Sequence, residues 1–198
     1  MIFAGAMERI AADTRGRTLS RYCGLAFTAI AAIAVSVWAA PGPAGILGTG
    51  LGIVMLAIAF VDARHFIIPN ALTFAALVLA LTDAALRQGW EGVLIALLRG
   101  AVLASIFLAA RIVYRWLRQR EGIGLGDVKL AGVAGAWLTW TMLPIVVEVA
   151  ALAALAAYAL RWLVGGRTVQ RLTRVPFGLF FAPAIWLCWL LEAKLAFP

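Results

Sequence analysis

The sequence predicts an all-α fold, a polytopic membrane helix bundle of about seven transmembrane segments, with six as the lower count. Three observations predict it. Of the 198 residues, 65% are hydrophobic and 13% charged, at a mean hydropathy of +1.00. A water-soluble chain of this size could not cover that much apolar surface, so lipid is the expected solvent. The apolar residues run in seven long stretches, and most basic residues fall in the gaps between them. Residues 1–198 read as a single membrane-embedded domain, with 1–20 as a basic N-terminal segment on the cytoplasmic side.

The first stretch, about 21–40, has arginines before it and "WAAPG" at its end, like a secretory signal. Its length exceeds a usual signal core, and Pro41 disfavours a cut after the small residues, so a retained helix is expected. Pro41 and Pro43 part it from the second stretch, 44–62. Pro69 opens the third, 70–87, with Asn70 available as a cap. The fourth covers 90–114, and the fifth, 127–139, is the weakest. Thirteen residues at about 1.5 Å each reach roughly 20 Å, against about 30 Å of hydrocarbon. The ends of such a helix are expected below the membrane surface, where irregular backbone needs cover from protein or water. Thr139–Thr141 separates it from the sixth, 141–163, and Pro176 opens the seventh, 177–196.

Basic residues set the orientation. With the N-terminus inside, Arg9, Arg15, Arg17, Arg21, Arg64, Arg111, Arg115, Arg118, Arg120, Lys129, Arg161, Arg167, Arg171 and Arg174 all fall on the cytoplasmic side. Those are fourteen of the 17 Lys and Arg; Arg87, Arg99 and Lys194 are left over. The net charge of +8 is therefore read as topology and headgroup contacts, and no nucleic-acid partner is expected. This orientation brings Asp62 and Asp127 to one depth at the cytoplasmic face.

The residue inventory narrows the chemistry. Cys23 and Cys188 lie in apolar stretches outside any CxxC, and His65 is the sole histidine, so no metal site and no cofactor are expected. Serines stand only at 20, 36 and 105, and one histidine cannot support a serine triad argument. Two neighbouring carboxylates can share one proton, and then one activates water while the other donates to a carbonyl. Taken singly, Asp62 also reads as a solvated helix end beside Arg64, and Asp127 as a helix cap. The glycines of "GIGLGD" (122–127) allow unusual backbone conformations or close approach of a chain. Gly132 and Gly135 continue as a packing face. Arg99 and Glu148, at comparable depths of roughly 10–14 Å, are expected to pair inside the membrane.

Three motifs together carry a resemblance. "GLGDVKLAG" resembles the GxGD motif of the type IV prepilin peptidases, membrane aspartyl proteases that cut leader peptides from pilin precursors. "VDARHFIIPNALT" resembles the family's aspartate, six residues later followed by Pro-Asn, and "VPFGLFFAPA" resembles its Pro-Phe-Gly segment. The resemblance implies Asp62 and Asp127 as the catalytic pair. It implies substrate-binding or loop-positioning roles for Gly124, Gly126, Lys129, Pro69, Asn70, Pro176 and Gly178. Lys129 also reads as a topology charge that snorkels to headgroups.

By the same resemblance the substrate is a prepilin or pilin-like precursor in the bilayer. The expected location is the inner (cytoplasmic) membrane, and the expected activity an aspartic endopeptidase. Bifunctional members carry paired CxxC motifs and methylate the new N-terminus. This chain has none, so N-methyltransferase activity is not expected, and the short form is similar to peptidases of Flp and tight-adherence pili. Two alternatives remain: another GxGD intramembrane protease, or a proton-coupled carrier or scaffold using the same carboxylates. The sequence does not speak to oligomeric state.

Overall fold

A computed structural model describes residues 30, 31, 33–40, 42–119, 122–165 and 176–196. The basic segment 1–20, Cys23 and the first half of the 21–40 stretch lie outside them, as do Arg120, Arg167, Arg171 and Arg174. Among the described residues the elements are all helical: α1 (33–39), α2 (Pro43–His65), α3 (Asn70–Arg118), α4 (Leu125–Trp137), α5 (Met142–Gly165) and α6 (Phe177–Ala196). Four of them, α2, α3, α5 and α6, are long and apolar enough to cross a membrane.

The expected third and fourth segments are the two helical arms of α3, which meet at a sharp bend. α3 runs for 49 residues, broken only at Gly89, where φ is 63° and ψ −148°. That conformation is open to glycine and closed in practice to residues with a Cβ. The chain folds back there, as α4 shows. Along α4, Lys129 reaches Asn70 and Trp137 donates to the Ala76 carbonyl, so the first arm runs with α4. Gly132 lies against Ala104 and Gly135 against the backbone of Arg99, so the second arm runs against it. The weak fifth segment is α4 itself. Its 13 residues are too few to cross, and it packs as a short central helix between the arms of α3 and α6.

Small residues set the close packing. Gly100, Gly132 and Gly135 bring the second arm of α3 and α4 to backbone contact: a Cβ at 100 would stand 2.8 Å from the Gly132 carbonyl oxygen. Gly48 and Gly52, one turn apart on α2, receive the indoles of Trp189 and Trp186 from α6. Trp186 donates to the Ser36 hydroxyl on α1 (3.1 Å), and Trp189 meets Trp137 edge to face at 6.3 Å. Cys188 is buried in this core.

The bundle thus has two ends. One carries the end of α2 and the starts of α3, α4 and α6. The other carries the α3 bend, the end of α4 and the end of α6. The three basic residues left out of the cytoplasmic count all sit at this second end. Arg87 pairs with Asp83 at 2.8 Å, and Lys194 lies 3.6 Å over the Trp38 ring. Arg99 lines a cavity of about 190 Å³ with Asp83, Arg87 and Glu192. The expected Arg99–Glu148 pair is therefore corrected: Glu148 is exposed on α5, and the carboxylate whose charge reaches Arg99 is Glu192. The face each helix turns to its neighbours decided the partner.

Candidate active site

Asp62 stands in the last turn of α2. The helix closes on Phe66, whose left-handed φ of 54° turns the chain out while its N–H caps the Asp62 carbonyl at 3.0 Å. Ile67 and Ile68 follow outside any helix. Pro69 (φ −65°, ψ 132°) then starts α3, and Thr73 closes that start by donating to the Asn70 carbonyl at 2.9 Å. Asp62 is buried, 5% exposed, and its Oδ2 accepts the Leu179 N–H of α6 at 2.9 Å. A side chain at Gly178 would place its Cβ 2.8 Å from that same oxygen.

Asp127 lies in the first turn of α4. Its Oδ2 accepts the Gly124 N–H at 3.1 Å, so the carboxylate caps its own helix from the third position while Gly124 is the N-cap residue. The expectation that the glycines supply unusual backbone angles is corrected at Gly124, whose φ of −72° is open to any residue. The loop instead needs space. A Cβ at 124 would approach the Asp127 carboxylate to 3.2 Å, and one at 126 would meet Ile68 at 3.0 Å.

Asp62 and Asp127 line one cavity of about 500 Å³, with Ile68, Asn70, Gly124, Gly126, Lys129 and Pro176 among its walls. The sequence-predicted residues are thus gathered at one place. Pro69 flanks it as the cap of α3, and Gly178 touches it through Asp62. Lys129 donates to Asn70 Oδ1 at 2.7 Å, so these two bridge α4 and α3 across the cavity edge. Two contributors were not singled out from sequence. Ile68, 8% exposed, wedges between Gly126 and Gly178, the backbones beside the two carboxylates. Arg111, counted only as a topology charge, donates to the Ile123 carbonyl at 2.7 Å and ties the glycine loop to α3. A repeated glycine motif predicts that something must hold the loop, but not which arginine.

Burial pushes the Asp127 carboxyl from 3.8 up to about 6, opposed by the Gly124 N–H and aided by the charge of Asp62. Between those values the folded chain holds a proton that the unfolded chain has released. The contribution to stability is therefore full below the unfolded value and is lost as pH rises through about 6. Asp127→Asn removes that loss. The variant is expected to unfold at a higher temperature than wild type above about pH 7, with the gap closing toward pH 4. Thermal scans in detergent at the two pH values check this, and a gap that is equal at both would count against it.

Comparison with known proteins follows the same residues. The model of the type IV leader peptidase family, Peptidase_A24, matches residues 49–160, which include both aspartates. The chain is 31% identical over 171 residues to a prepilin leader peptidase/N-methyltransferase of Aeromonas hydrophila, covering 81% of this chain and 54% of that one. It is 34% identical over 134 residues to leader peptidase HopD of Escherichia coli, covering 62% of this chain and 78% of HopD. A prepilin leader peptidase/N-methyltransferase of Pseudomonas aeruginosa is 32% identical over 136 residues, covering 67% and 45%. The chain therefore spans about half the length of the relatives named for both activities. No solved structure matches it.

Proposed function

The chain belongs to the type IV leader peptidase family, and from that premise we propose that it is a membrane aspartyl endopeptidase. It removes the leader peptide of type IV or Flp-type prepilins, and Asp62 and Asp127 are its catalytic pair. The observation that carries this reading is the shared cavity: both carboxylates line it, and the charge of one bears on the other. In this proposal the two carboxylates share one proton in the reacting complex. The ionised carboxylate takes a proton from water, and the hydroxyl adds to the scissile carbonyl carbon. The other carboxyl gives its proton to the carbonyl oxygen. Return of a proton to the amide nitrogen then lets the C–N bond break.

The other roles follow from the contacts. Gly124 and Gly126 leave room for the Asp127 carboxylate and the Ile68 side chain, Lys129 and Asn70 form the cavity edge, and Gly178 with Pro176 shapes the wall beside Asp62. The site faces the cytoplasm and the protein resides in the inner membrane, a reading that rests on the spacing of basic residues between the apolar stretches in the sequence, with Arg64, Arg111 and Lys129 at the carboxylate end of the bundle. Peptidase action without N-methylation is proposed from the lack of any CxxC in the 198 residues. Co-expression with candidate prepilins, read by gel and N-terminal sequencing, tests the proposal. A single cut between leader and apolar segment is expected, and a precursor panel left whole by well-folded protein would remove the assignment.

Arg111 is a positioning residue in this scheme. Arg111→Gln cannot span to Ile123, and the loss of one hydrogen bond from a charged donor is expected to lower kcat about tenfold. KM should change little, and Arg111→Lys should recover part of the rate. A change in KM alone would argue for a contact with substrate instead.

A further inference from the structure

We propose that the lipid-facing groove over α4 is the docking site for the substrate's apolar helix, the segment that follows the scissile bond; this rests on the peptidase reading above. The groove, about 550 Å³, lies between the two arms of α3 with α4 as its floor. Phe74 and Leu77 wall it from the first arm, Gly100 and Ala104 from the second, and Gly132 and Ala136 form the floor. Each helix therefore offers one face at spacings of three or four residues. The walls are about seven residues long, or roughly 10 Å at 1.5 Å per residue, which accepts two turns of a helix.

Two observations name the occupant. The first is continuity. Asn70 and Lys129 line both this groove and the cavity that holds Asp62 and Asp127. A chain lying in the groove leaves it past the Lys129–Asn70 bond and enters the carboxylate cavity at once. An apolar helix whose end must reach two carboxylates at the membrane face has this shape. The second is the small floor beside a large bare wall. Gly100 and Ala136 are buried where α3 meets α4, and the half-buried Gly132 and Ala104 keep the floor low enough for a helix backbone to come close, as small residues do between helices in lipid. Phe74 stands beside them, 68% exposed among the described residues.

The docked helix would thus set how far the substrate reaches. Residues in the groove stay helical and shielded. Those past Asn70 and Lys129 are extended and open to attack, because a helix hides its carbonyls in its own hydrogen bonds. The cut then falls at a fixed distance from the apolar segment.

The test uses the full chain in membranes. A photoreactive benzoylphenylalanine replaces Phe74 in the Asp127→Asn background, and in a second variant replaces Leu152, which is 57% exposed on α5 and outside the groove. After irradiation with a prepilin precursor, an adduct at 74 that maps to the apolar segment, and none at 152, is expected. In parallel, Ala101→Trp fills the exposed wall of the groove. It should raise KM for the precursor about tenfold with kcat nearly unchanged, the effect of crowding a packed contact. If the wild type cleaves the precursor but position 74 labels only lipid, or labels precursor no more than 152 does, the groove proposal is overturned. If Ala101→Trp is folded and its KM is unchanged, the result is the same. If Ala101→Trp fails to fold, the adduct pattern decides. A wild type that cleaves no precursor removes the peptidase reading, and the groove assignment with it.

Discussion

Asp62→Asn and Asp127→Asn will each abolish leader cleavage, by about 10⁴-fold or more, with wild-type amounts of protein in the membrane. In the proposed mechanism the two groups act on one water and one carbonyl, so removing either stops the proton exchange. Asparagine has the shape of aspartate but cannot take a proton from water. In Asp62→Asn the amide oxygen can still accept the Leu179 N–H, and in Asp127→Asn it can still accept the Gly124 N–H. The contacts that hold α6 and the glycine loop therefore survive. The double variant should be no slower than the worse single one, as expected of residues that work as a unit. Rates are read from precursor and product bands at matched protein levels. Cleavage that persists in either single variant would take that aspartate out of the mechanism.

Much of the bundle could be read from hydropathy because each long helix is apolar over most of its length. The break between the third and fourth stretches fell at Gly89, where polar residues and a glycine coincide. The weak fifth stretch proved to be the short helix α4. The two carboxylates were legible through their motifs and through topology, which put both at one end. What was not legible depends on rotation about a helix axis. Arg99 and Glu148 were paired on sequence depth alone, yet Glu148 is exposed while Glu192 reaches the cavity that Arg99 lines. Even Glu192 is held by a local event, the Thr139 N–H at 3.2 Å, which no period in the sequence foretells. Arg111 and Ile68 were missed for the same reason. Their partners, Ile123, Gly126 and Gly178, come from other elements, and only the packed bundle brings them together. Lys129 and Asp127, two residues apart on one helix, do not face each other. The lysine's partner is Asn70, 59 residues distant in sequence.

Gly178→Ala is expected to cost about 100-fold in rate while the chain remains in the membrane. The new methyl would stand 2.8 Å from Asp62 Oδ2, 2.9 Å from Ile68 Cδ1 and 3.0 Å from Asp62 Cγ. Alanine in a helix is worth up to about 1 kcal/mol over glycine, and Gly178 is the second residue of α6. Overpacking a tight site costs typically about 1–3 kcal/mol. The clash wins, and the group best able to move is the Asp62 side chain, since the rest of the contact is the buried Ile68 wedge. Rotation of that carboxylate strains its bond to Leu179 and moves it off the line to Asp127, so kcat falls further than stability. Gly50→Ala on α2 is the control. Its methyl would meet only the end of the Leu79 side chain at 3.2 Å, which can give way, and activity should hold. Adding Ile68→Val to Gly178→Ala removes the Cδ1 contact and leaves the carboxylate contact. Partial recovery is therefore expected, because two of the three close approaches are to Asp62 itself. Full recovery would show that Ile68, not the carboxylate, made the glycine necessary, and no loss in Gly178→Ala would show that the wall beside Asp62 has room to spare.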